Sequence, residues 1–139
     1  MRGVELLIAR VTRPEDVAGA IDTLKSSGAA ALNVLASPLL FNNRHIIIPR
    51  VATLRLPTIY QAPEFGAAGA LIGYGPPLVP VFRDVLARQL IKLLRGTKPT
   101  DVPVEQPDKF ELVINLKAAK EIGLDVPANL VLRADRLIE

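Results

Sequence analysis

Cysteine and tryptophan are absent from the 139 residues, and histidine occurs once, at His45. Without cysteine there is no disulfide, no thiolate metal site and no cysteine nucleophile. A lone histidine excludes any site that needs two. Serine stands only at Ser26, Ser27 and Ser37, which leaves a Ser-His-Asp set few ways to exist. Aromatic residues make up 4% of the chain, as two tyrosines and four phenylalanines. Neither charge sign dominates: 17 basic and 14 acidic residues give +3, and the basic ones are scattered. A nucleic-acid surface would cluster them or interleave them with aromatics, so no nucleic-acid partner is expected. No apolar run approaches the ~18–20 residues that cross a bilayer. The start, MRGVELLIAR, has Glu5 and no long apolar stretch, so it does not read as a signal peptide, and as it stands the sequence would remain in the cytoplasm.

Half of the residues are apolar, enough to fill one core at a length typical of one domain. Val4–Ala9 reads as a strand. Thr12 and Glu15 have capping-box spacing ahead of a helix that stops at Gly28, with Val17, Ala20, Ile21 and Leu24 on one stripe. Ala30–Leu35 reads as a strand covered on both faces, broken by Ser37-Pro38. A helix over about 43–54 contains Pro49, which is expected to kink it or split it. Further strands are expected at Pro57–Tyr60 and Leu71–Gly73, with a helical turn at Glu64–Ala68 between them. A long helix over about 79–95 carries Phe82, Val85, Leu86, Leu90 and Leu93 and closes at Gly96. Thr97–Asp108, with Pro99, Pro103 and Pro107, reads as an extended linker. A strand at Phe110–Ile114, a helix at Leu116–Ile122 capped by Asn115, and a last helical turn near 129–134 complete the chain. Alternating strands and helices predict α/β architecture: a parallel βαβ sheet with helices on both faces, plus a C-terminal strand-helix extension.

In open α/β sheets, ligands bind beyond the carboxyl ends of the strands. The loops there are Ala36-Ser37-Pro38, Gln61-Ala62-Pro63-Glu64 and Gly73-Tyr74-Gly75-Pro76. Ser37 offers a small hydroxyl and Tyr74 a flat ring with a polar tip. Glu64 can receive an amine or favour a helix N-terminus by its charge. The glycines at 73 and 75 permit close backbone approach, but no lysine-serine pair follows to make a phosphate loop. No acid, base, nucleophile or metal set can be assembled, so no enzyme, metal or cofactor is expected.

Several stretches resemble a known family. They are Gly28–Pro38, Phe41-Asn-Asn-Arg44, Leu56-Pro-Thr-Ile-Tyr60, Gly69–Pro76 and, most specifically, Leu94-Arg-Gly-Thr-Lys-Pro-Thr-Asp-Val-Pro-Val-Glu-Gln-Pro107 running into Lys109–Lys117. Leu124–Pro127 and Arg133-Ala-Asp135 fit as well. Together they look like the C-terminal half of the ABC-transporter substrate-binding proteins of the tryptophan-binding type. The resemblance implies one lobe of a type I periplasmic binding protein, which holds a small, amino-acid-like solute in an interlobe cleft and delivers it to an ABC permease. It implies a periplasmic location, a second-lobe domain at 1–98, and a segment 99–139 that returns from about Pro107 to the first lobe. It places Ser37, Ala62, Glu64, Phe65 and Tyr74 at the cleft. Ser37 stands where the family often has Asp, and Pro77 where it often has Asp or Asn. With the strand Phe110–Ile114 and the helix face of Leu116 and Ala119 expecting an absent partner, a homodimer docked through the C-terminal segment is expected. The alternative is a self-associating, non-catalytic α/β domain from a truncated gene, with no transport role.

Overall fold

The computed structural model describes residues 3–139. Helix α1 (Asp16–Ser26) leads into β1 (Leu32–Val34), then α2 (Pro38–Asn42) and α3 (Arg44–Thr53). Strand β2 (Thr58–Tyr60), the turn α4 (Glu64–Ala67) and β3 (Ile72–Gly75) follow. The chain then runs through α5 (Leu78–Pro80), a π-wound segment (Val81–Leu86) and α6 (Ala87–Leu94), and through a 3₁₀ turn at Pro99–Asp101. It ends with β4 (Glu111–Asn115), α7 (Leu116–Ile122), α8 (Ala128–Val131) and β5 (Arg136–Ile138).

The five strands form one sheet in the order β1-β2-β3-β4-β5. Every neighbouring pair is parallel except β3 and β4, which run antiparallel with Gly75 opposite Glu111 and Ile72 opposite Ile114. Successive residues of a strand point to opposite faces. Val113 and Ile114 are both fully buried, so both faces of the sheet are covered at β4. Val113 presses on Gly66 of α4, where a Cβ would lie 2.6 Å from its side chain. The main core joins Val17 and Ile21 of α1, Ile47 and Val51 of α3, and Val34, Leu56, Tyr60 and Phe65. The Arg50 guanidinium ties α3 to α1 through a two-point pair with Asp22, its Nε donating to Oδ1 at 2.7 Å.

Local signals account for most element ends. Gly28, Gly69, Gly96 and Gly123 all take positive φ just past a helix, where glycine alone is unstrained. The Asn115 side chain caps α7 as expected, accepting from the Ala118 N–H at 2.9 Å. Pro49 sits inside α3, which stays continuous.

Other expectations are corrected. Residues 4–9 form no strand: Val4, Leu6 and Ile8 stand exposed, because no neighbouring strand receives their backbone groups. The capping box at Thr12 and Glu15 does not close; Arg13 instead pairs with Asp16 at 2.9 Å, and α1 begins there without a side-chain cap. Pro38 starts a helix instead of only ending a strand, since a proline at the first helical position lacks no needed donor. Strand β5 was not anticipated.

Strands β4 and β5 of the C-terminal segment complete this same sheet, and Val113, Ile114 and Ala119 are buried within the chain. The apolar strand thus has its partner already, which removes the stated reason for docking it on a second copy. The part of the chain that leaves the sheet is 76–110, which contains no buried residue.

Candidate functional site

Strands β1, β2 and β3 are parallel and in register, with Val34 opposite Tyr60 and Tyr60 opposite Gly73. Their carboxyl ends therefore lie along one edge of the sheet, and the three loops marked by sequence meet there. Gln61 ties the second loop to strand β1: its Nε2 donates to Asn33 Oδ1 at 3.2 Å.

The loop after β2 is held hard against β3. A Cβ on Gly73 would lie 2.5 Å from the Ala62 carbonyl oxygen, and one on Gly75 would collide with that of Gln61. The close approach these glycines permit is thus made by the chain's own backbone. It fixes where Gln61–Glu64 stands relative to Tyr74.

Glu64 sits at the start of α4, but its carboxylate serves another helix. Its Oε1 accepts from the Leu78 N–H at 2.6 Å, capping the helical run that begins there. Its Oε2 is buried and has no protein partner. Behind it lies an aromatic stack. The Phe65 ring lies over Tyr60 at 4.6 Å and meets Phe41 edge-on at 5.3 Å. The Arg44 guanidinium lies 4.8 Å from the Phe41 ring and donates to the Phe41 carbonyl at 3.0 Å. The Tyr60 hydroxyl is also buried without a partner, and burial pushes its pKa above the ordinary tyrosine range.

The five sequence-marked residues thus occupy three environments. Tyr74 is 49% exposed, with its ring 5.9 Å from Phe110. Ser37 and Glu64 are half-buried, Ser37 preceding α2 with no cap bond from its hydroxyl. Ala62 and Phe65 are buried. Asn33, Gln61, Phe41, Arg44 and Tyr60 were not singled out as site residues. In the sequence, Phe41-Asn-Asn-Arg44 and Leu56–Tyr60 stand out by resemblance alone, with no signal that their side chains meet. His45 is exposed on its helix, with Nδ1 3.2 Å from the Asn42 carbonyl. A cavity of about 170 Å³ beside β1 is bounded by Val11, Val17, Ile21, Leu24 and Leu40, with Asn33 and Ser37 in its lining. Among the described residues no group of three or more metal-ligating side chains comes together, and no helix is long and apolar enough to cross a membrane.

In open, mainly parallel α/β sheets, ligands bind in the crevice beyond the carboxyl ends of the strands. The chain belongs to the ABC transporter substrate binding protein family, whose model matches residues 1–138. It is similar in fold to the ABC domain of Streptococcus pneumoniae solved in complex with L-Trp, with a TM-score of 0.80 and 21% identity over 92% of this chain and 43% of that one. A conserved domain protein of Vibrio cholerae is similar at a TM-score of 0.85 and 20% identity, over 93% and 43%. The ligand-free, open form of a substrate-binding protein with adhesive properties from Clostridium difficile is similar at 0.58 and 20%, over 92% and 42%. The chain therefore spans well under half the length of these solved proteins. No curated protein matches it in sequence.

Proposed function

We propose that this chain forms one wall of an interlobe cleft that takes up an amino-acid-like solute for an ABC permease, working in the periplasm. The observation that carries the reading is the meeting of the Ser37, Gln61–Glu64 and Tyr74 loops at one sheet edge. Tyr74 presents an exposed ring for an apolar or aromatic side chain, and Ser37 a hydroxyl. Glu64 adds a carboxylate to the same loop group, with Oε1 held by the Leu78 N–H and Oε2 buried behind it. Ala62 and Phe65 shape this wall from behind. A neighbour in complex with L-Trp supports an amino acid as solute. No residue here is asked to make or break a bond, so the function is binding and not catalysis.

Affinity in a two-walled site comes from enclosing the solute on both sides. With about half the contacts of a micromolar site, this wall alone would bind near millimolar. Titration calorimetry with aromatic and branched amino acids tests the reading. Weak heat that Tyr74→Ala abolishes is expected; silence across both sets would overturn it.

A further inference from the structure

We infer that Glu64 is a positioning residue for Tyr74: its carboxylate holds the turn that follows Tyr74, through the Leu78 N–H, and does so without touching the solute. The inference rests on the reading of Tyr74 as a solute contact.

Alternation along β3 separates the two roles. A Cβ on Gly73 or on Gly75 would strike a carbonyl oxygen of the loop after β2, so both glycines face that loop. Successive strand residues point to opposite faces, so Tyr74 between them points away from it. The loop backs the strand that carries Tyr74 and leaves the ring clear to meet Phe110 at 5.9 Å. Beyond Tyr74 the chain has few ways to move. Gly75 is pinned against the Gln61 carbonyl. Pro76 and Pro77 follow, each with φ fixed by its ring. Leu78 is gripped twice: its side chain packs on the main core, and its N–H donates to Glu64 Oε1 at 2.6 Å. Without that bond the stiff proline pair can swing as a unit about Gly75, since glycine resists such rotation least. Glu64 is badly placed for a direct charge contact, with one oxygen engaged by Leu78 and the other buried behind it. What it contributes is reach, and reach and charge can be separated. Glu64→Gln keeps the length and an acceptor oxygen; Glu64→Asp keeps the charge and is one methylene short.

The chain has two tyrosines, and they act as separate probes in NMR of the full chain labelled on its tyrosine rings. Tyr60 is fully buried and reports the fold; Tyr74 is half exposed and reports the turn. Glu64→Asp and Glu64→Ala should shift and broaden the Tyr74 signal and leave that of Tyr60 in place. Both should quicken hydrogen exchange at the Leu78 amide on the order of tenfold, and weaken L-tryptophan binding, read from the Tyr74 signal, by a similar factor. Glu64→Gln should stay within about threefold of the unaltered chain on both measures. A Tyr74 signal and a Leu78 exchange rate unmoved by Glu64→Asp would overturn the inference. So would the reverse ranking, with Glu64→Asp binding like the unaltered chain and Glu64→Gln like Glu64→Ala, since that marks a charge held on the solute. If Glu64→Ala loses the Tyr60 signal, and with it the fold, the Glu64→Asp and Glu64→Gln pair still decides. A Tyr74 signal of the unaltered chain that never responds to L-tryptophan would count against the solute reading instead, while the ring signal and the exchange rate still decide whether Glu64 sets the turn.

Discussion

The sheet and the excursion 76–110 are built from the same apolar residue types and use them in opposite ways. In the sheet, Tyr60, Val113 and Ile114 are fully buried. In the excursion, Phe82, Leu86 and Leu90 have an equally regular period and are more than half exposed. Periodicity therefore reports which face is apolar, not what that face meets.

Substitutions can break or sharpen that contrast. Ile114→Ala should lower stability by about 3 kcal/mol through lost burial and a cavity, whereas Leu86→Ala at high dilution should stay within about 0.5 kcal/mol; chemical denaturation measures both. Equal losses would mean that the run is packed in solution. Gly75→Ala should lose about 2–3 kcal/mol, because a backbone carbonyl cannot move aside as a side chain can, and it should weaken any solute binding with it. Asn115→Ala should lose about 1–2 kcal/mol, since it removes the α7 cap and the 3.3 Å contact of its amide with the Gly66 carbonyl.

Tyr60→Phe should be neutral or stabilising by up to about 1 kcal/mol in thermal melts, because it deletes a buried hydroxyl that has no partner. The smallest effect concerns Asp22. Its hydrogen bond from Arg50 holds the carboxyl below the ordinary aspartate range. A depressed folded-state pKa adds stability above the unfolded value of ~4 and loses it as pH falls through the folded one. The pair is solvent-exposed, so Asp22→Asn should flatten only slightly the acid limb of a melting-temperature profile against pH.

Helix ends and strand positions were largely legible, because glycine past a helix and short apolar runs act locally. What was not legible depended on distant partners. Residues 4–9 have strand composition but no neighbouring edge to complete them. Strand β5 is three residues long and exists because β4 pairs with it. At the candidate site, the loops could be read from the alternation of elements. The withdrawal of Phe65 into a stack with Tyr60 and Phe41 could not, since that contact joins three separate elements.

The antiparallel junction of β3 and β4 has an engineering consequence. Gly75 and Glu111 are direct cross-strand neighbours, so the two feet of the excursion stand side by side. A tight hairpin turn grafted between them would close the same gap with less chain to order. The sheet is thus a scaffold whose protruding module can be trimmed, exchanged or extended without re-registering a strand.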